Sequence, residues 1–171
     1  MIAILRINHR SARDKRISTH IGLVARAFLA EKIIYSGEHD ESLIDSVNKI
    51  KNEWGGKFSA EYSKDYKKTI TEYKNKGFKI AHLTMYGLPL ESRINEIKKL
   101  KNLLIIVGGE KVPRDVYEKA DYNLSITAQP HSEVSALAIT LDRIAGGKEL
   151  SHDFKDAKKR IKPNALGKTF Y

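Results

Sequence analysis

The sequence predicts an α/β domain, a mostly parallel sheet with helices on both faces, continued by a basic C-terminal extension. Six short apolar runs alternate with six longer stretches of helical pattern, and such alternation implies crossover connections between parallel strands. The run Leu103-Leu104-Ile105-Ile106-Val107 is apolar at every position, as a strand buried on both faces requires. After Gly146-Gly147 the composition shifts to a charged tail with little apolar periodicity.

Residues 2–7 read as the first strand, and a helix is expected over residues 18–29 after a strongly basic segment. A strand at residues 32–35 leads to a helix over 41–53, where Leu43, Ile44, Val47 and Ile50 recur at helical spacing behind the cap residue Asp40. A strand at 58–62 and a helix at 65–76 follow, then a strand at 79–84 closed by turn residues through Gly87. The remaining expectations are a helix over 89–101, the strand Leu103–Val107, a helix over 113–119, a strand at 123–126 and a helix over 130–145. Residues 1–146 form the predicted domain and residues 147–171 its extension, in which Pro163 and Gly167 act as breakers.

A chain of 171 residues can bury a real core without cross-links. It has no cysteine, which excludes a disulfide framework, a cysteine zinc site and a thiol nucleophile, and no metal is expected. No apolar stretch approaches the roughly 20 residues that span a bilayer. Residues 1–8 are too short for a secretory signal, so no membrane partner and a cytoplasmic location are expected. The net charge of +10 is unevenly spread: residues 1–20 carry +4, residues 147–171 another +4, and all the rest only +2. Such a distribution suits a polyanion if both segments meet on one face, since phosphate neutralisation dominates nucleic-acid affinity. A solvated tail is the plainer alternative.

Three constellations carry candidate chemistry. Gly108-Gly109-Glu110-Lys111-Val112-Pro113 follows a strand and opens a helix, and glycines there let backbone approach a ligand at the sheet's C-terminal edge. It matches neither a phosphate-binding P-loop nor a dinucleotide fingerprint. A second turn, Ile126-Thr127-Ala128-Gln129-Pro130-His131-Ser132-Glu133, joins a strand to an apolar helix, with Pro130 expected in the first helical turn and Glu133 at its positive end. Two such turns on one edge favour a nucleotide-sized pocket over two plain tight turns. The third is the basic segment holding Arg6, His9, Arg10, Arg13, Lys15, Arg16 and His20, read as a loop, which runs into Ile21-Gly22 and Arg26 of a mostly apolar helix. A structural salt bridge is the alternative reading of Arg26.

Taken in order, these segments resemble the motifs of the SPOUT ribose methyltransferases: His20-Ile21-Gly22 with Ala25-Arg26-Ala27, then Val107-Gly108-Gly109-Glu110, then the run from His131 to Ala138. Arg13-Asp14-Lys15-Arg16, the 108–113 turn and Gln129-Pro130-His131-Ser132-Glu133 are similar, more closely, to the archaeal family that methylates cytidine 56 in the T-loop of tRNA. The resemblance implies a C-terminal trefoil knot, S-adenosylmethionine as cofactor, a homodimer and tRNA as partner. Its implied cofactor pocket comprises Leu83, Gly108, Gly109, Glu110, Lys111 and Val112, with Ile126, Thr127, Ala128, Gln129, Pro130, His131, Ser132 and Glu133. RNA contacts are expected from Arg10, Arg13, Lys15, Arg16, His20, Lys158, Lys159 and Arg160.

The resemblance further implies that Arg26 stands at the catalytic arginine's position. An arginine is a poor proton acceptor at neutral pH, so stabilising a developing alkoxide or gripping a phosphate suits it better. Ser135 is expected to orient the hydroxyl, with helix packing an equal account of it. A non-catalytic RNA-binding protein of the same fold and an RNA base methyltransferase are the rival readings.

Overall fold

The computed structural model describes residues 1–109 and 111–171, and Glu110, expected in the cofactor pocket, lies outside the described residues. Six strands form one sheet: β1 (Ile2–His9), β2 (Lys32–Gly37), β3 (Ser59–Tyr62), β4 (Lys79–Pro89), β5 (Leu103–Val107) and β6 (Tyr122–Ser125). Their order is β3-β2-β1-β5-β4-β6, and every pairing is parallel. β5 is buried at all five positions and joins β1 to β4, with Ile4 opposite Ile105 and Ala81 opposite the same residue.

Helices α1 (Ser11–Ala27), α2 (Glu41–Trp54), α4 (Ile94–Ile97) and α6 (Glu133–Ala145) cover one face. Their inward residues, among them Ile21, Leu43, Val47, Ile97, Leu137 and Leu141, pack on Ile4, Ile33, Leu83 and Ile105. Helices α3 (Tyr66–Asn75) and α5 (Arg114–Lys119) cover the other face, where Ile70, Tyr73 and Val116 meet Leu5, Ile34, Ile80 and Ile106. Alternate strand residues therefore serve opposite cores, as the pleat dictates.

Several boundaries differ from the sequence reading. The basic segment is no loop: α1 begins at Ser11, and its first two turns turn Asp14 and Ser18 inward instead of apolar groups. Asp14 is held by Arg10, whose Nε donates at 2.9 Å, and Ser18 by the His9 ring at 2.9 Å, so polar pairs occupy the buried stripe. Pro130 lies outside α6, because Ser132 is the cap and accepts the Val134 N–H. The helix expected over 89–101 shrinks to a 3₁₀ turn (Leu90–Ser92) and the short α4, with Leu90, Ile94 and Ile97 buried.

β4 runs past its expected end. Leu83 and Leu88 both register with Leu124 of β6, so residues 84–87 form an excursion from the ladder. Gly87 permits it: a Cβ there would lie 2.5 Å from the Leu124 nitrogen.

The tail folds back on the end of α2. Lys158 and Lys159 donate their N–H groups to the Glu53 carbonyl, the Asp156 carboxylate accepts from the Gly56 N–H at 2.8 Å, and Ile161 pairs antiparallel with Phe170.

Candidate active site

Three chain segments meet at the C-terminal edge of the sheet, where open parallel sheets bind ligands. The β4 excursion, the turn after β5 and the start of α6 enclose a cavity of about 400 Å³, a size suited to a nucleoside-bearing cofactor. Its walls include His82, Leu83, Thr84, Tyr86, Gly108, Gly109, Val112, Tyr117, His131, Glu133 and Ala136.

The two glycines do different things. A Cβ on Gly108 would strike Val112, 2.5 Å from its Cγ2, so this glycine lets the turn fold against β1. Among the described residues beyond its chain neighbours, a Cβ on Gly109 would meet only the Arg6 guanidinium, at 3.8 Å, so this one keeps a wall of the cavity bare. Arg6 is buried under that wall; its Nη1 donates to the Ile7 carbonyl at 2.9 Å, and its Nη2 lies 3.5 Å from Glu133. Burial lowers the Arg6 pKa, and the Glu133 carboxylate opposes that shift. Glu133 thus brings a negative charge to the cavity, at the N-terminal end of α6 where the helix dipole favours it.

Of the residues expected to bind cofactor, Leu83, Gly108, Gly109, Val112, His131 and Glu133 line this cavity. Lys111 shares a neighbouring hollow with Asn8, Arg10 and Arg13. Ser132 lies in another with Arg13, Arg16 and His20. Ile126 packs partly against the core, and Thr127, Ala128, Gln129 and Pro130 are exposed. The N-terminal RNA candidates therefore gather around the reverse side of the same two turns. Lys15 is drawn toward α2, 3.8 Å from Asp40.

Arg26 stands elsewhere. It is buried near the far end of α1, where Nη2 donates to the Trp54 and Gly55 carbonyls at 2.5 and 2.7 Å. Its guanidinium stacks 4.6 Å from the Phe154 ring centre. Burial lowers its pKa, opposed by the Asp156 carboxylate. The Arg26 backbone lies about 20 Å along the helix from that of Arg13, counting 1.5 Å per residue. Ser135 is exposed, and its hydroxyl donates to the Ser132 carbonyl at 2.8 Å. Lys159 pairs with Glu53 at 2.9 Å and Arg160 with Asp153 at 3.5 Å, beside Trp54 at the Arg26 end of the molecule. The two basic segments thus flank opposite ends of α1 rather than forming one patch in a single chain.

Residues 54–171 match the family described as tRNA ribose 2′-O-methyltransferase, aTrm56. The chain belongs to that family. It is 53% identical over 165 residues to the tRNA (cytidine(56)-2′-O)-methyltransferase of Methanosphaera stadtmanae, covering 96% of this chain and 94% of that one. The enzyme of the same name from Thermococcus kodakarensis is 51% identical over 172 residues, covering 98% and 95%. In fold, the chain is similar to the SpoU methyltransferase AviRb of Streptomyces viridochromogenes, solved in complex with AdoMet: TM-score 0.62 and 14% identity over 87% of this chain and 58% of that one. Four of the residues that line the cavity, His82, Thr84, Tyr86 and Tyr117, were not singled out by the motifs, and Arg6 stood there only as part of the basic segment rather than as the partner of Glu133. The turn residues after the fourth strand were the available signal, since they mark a third segment ending on the same sheet edge. Among the described residues, no group of three or more His, Asp or Glu is placed to hold a metal ion, and no helix is long and apolar enough to cross a membrane.

Proposed function

We propose that this chain transfers a methyl group from S-adenosylmethionine to the ribose 2′-hydroxyl of cytidine 56 in the T-loop of tRNA. The observation that carries the proposal is the 53% identity, over nearly the whole chain, to an enzyme named for that reaction. The cavity fits the cofactor. It is bounded by backbone at the bare Gly109 wall, holds one carboxylate, Glu133, among its described lining residues, and is lined by His82, whose buried Nε2 has no hydrogen-bond partner among the described residues. When bound, the cofactor supplies a methyl group on a sulfonium, open to in-line displacement without a metal. The chain's own part is positioning. Backbone at Gly109 accepts close approach, Val112 and Leu83 supply apolar wall, and the start of α6 brings His131 and Glu133 to the opening. The lysine and arginine groups at the two ends of α1 are assigned to the tRNA backbone, and residues 147–171 to an RNA-contacting extension.

We further assign the working unit as a homodimer. Arg26 is not among the residues that line its own cavity and lies about 20 Å along α1 from Arg13, which shares a hollow with Gly109 and Lys111, so its share in the chemistry is assigned to the cavity of a second copy. There its planar cation would stabilise the developing alkoxide or grip the adjacent phosphate. Digesting tRNA methylated in vitro to nucleosides tests the main proposal. The expected product is 2′-O-methylcytidine; label on a base, or no transfer by folded protein that binds tRNA, would favour one of the rival readings.

A further inference from the structure

The His82 side chain is fully buried on β4, and His82 is among the residues that line the cavity. Its tautomer follows from its neighbours. The Asn123 amide nitrogen donates to the Tyr117 carbonyl at 3.0 Å, which leaves the Asn123 carbonyl oxygen facing His82 Nδ1 at 2.9 Å. An oxygen there can only accept, so Nδ1 carries the hydrogen and Nε2 the lone pair. The Tyr117 ring packs edge-on at 4.6 Å, and the Tyr117 hydroxyl is engaged with Thr84 at 3.0 Å. The ring is therefore held on two sides, yet among the described residues Nε2 has no hydrogen-bond partner. A buried acceptor left unpaired is costly, and one fixed in this way beside a cavity is a receptor for a donor.

We propose that His82 Nε2 accepts a hydrogen bond from the adenosyl part of the methyl donor, through the exocyclic amine or a ribose hydroxyl. This rests on the cavity being the cofactor site. A neutral donor is favoured over the methionyl ammonium because the same burial that lowers the His82 pKa disfavours a cation beside it. His82 thus reads the nucleoside, and the tautomer lock through Asn123 and Tyr117 is what makes the reading selective for donors.

The test uses S-adenosylhomocysteine and three analogues, each lacking one donor: the amine replaced by hydrogen, the 2′-deoxy and the 3′-deoxy form. Titration calorimetry on the intact wild-type protein should show one analogue bound about tenfold more weakly than the parent, the loss expected for a buried acceptor left unpaired. Which analogue it is tells amine from hydroxyl. In His82→Phe, which keeps a ring of similar shape, that discrimination should shrink to within twofold, whereas a merely structural role would weaken all four ligands alike. Nitrogen NMR of the wild type gives a second readout that needs no variant: the unprotonated Nε2 resonance should shift when S-adenosylhomocysteine is added. Equal binding of all four ligands by the wild type, undiminished discrimination in His82→Phe, or an unmoved Nε2 resonance in the saturated wild type would each overturn the proposal. Failure of the wild type to bind S-adenosylhomocysteine at all would instead overturn the cavity's assignment, and this inference with it.

Discussion

Replacing Arg26 with alanine separates two jobs that one side chain is asked to do. The structural job can be sized. The guanidinium donates to two carbonyls at the end of α2 and stacks on Phe154. Hydrogen bonds from a charged group contribute about 1.5–3 kcal/mol each, but a freed carbonyl near the surface recovers part of that from water. Counting one full bond and a cation–π contact of about 0.5–1 kcal/mol gives a loss near 3 kcal/mol. For a chain of this length that lowers Tm by about 6–12 °C. Arg26→Lys keeps the charge and can reach one carbonyl, so it should recover about half of the loss. The chemical job has its own magnitude, a fall of about 10²–10³ in single-turnover rate at a temperature where the variant is folded. Co-expression with Gly109→Val then locates the defect. If Arg26 serves the other protomer's cavity, mixed dimers regain one intact site, and the mixture recovers about one quarter of wild-type activity. Both claims can fail separately. An unchanged Tm would refute the structural account, and near-normal turnover by folded Arg26→Ala would remove the residue from the chemistry. A mixture as inactive as its parents would refute the shared site.

Gly109→Val should leave the free protein's Tm nearly unchanged, because among the described residues beyond its chain neighbours the added group meets only the end of Arg6, yet abolish the thermal shift given by S-adenosylmethionine. An undiminished shift would place the ligand elsewhere. Replacing Lys158, Lys159 and Arg160 together with alanine should weaken tRNA binding and flatten its salt dependence without altering cofactor affinity; an unaltered salt slope in filter binding would make the tail a structural strap. The pH response has a definite sign. Burial lowers the pKa of both His9 and His82, so below the unfolded value of about 6.5 only the unfolded chain takes up these protons. Stability should therefore fall as pH drops through about 6.5, by up to about 1.4 kcal/mol per unit for each histidine. Asp14, held low by its hydrogen bond to Arg10, loses its contribution only further into acid. A Tm flat from pH 7 to 5 would contradict this.

What the sequence made legible was whatever repeats along a helix or strand. The run Leu103–Val107 announced a central buried strand, and Leu43, Ile44 and Val47 announced α2. The start of α1 was hidden because Asp14 and Ser18 hold inward positions where periodicity looks for apolar residues. The site divided in the same way. Gly108, Gly109 and Glu133 stand out as turn chemistry, and they line the cavity. His82 and Arg6 sit inside apolar strands, and their roles come from partners far along the chain, Asn123 and Glu133, which no local pattern links to them. The order of the strands was equally illegible, since it depends on which edges β5 joins.

That order has a consequence for how the protein is made. Both ladder neighbours of β5, β1 and β4, are complete in the chain before β5 exists. A nascent chain that has released β3 carries a three-stranded sheet whose β1 edge is bare, and it stays bare until residues 103–107 emerge. At ordinary translation speeds of about 5–20 residues per second, that interval lasts about 2–9 s. An open, apolar strand edge is a template for pairing with another chain. That edge is closed only when β5, five residues long, pairs with β1 and brings β4 into the same sheet.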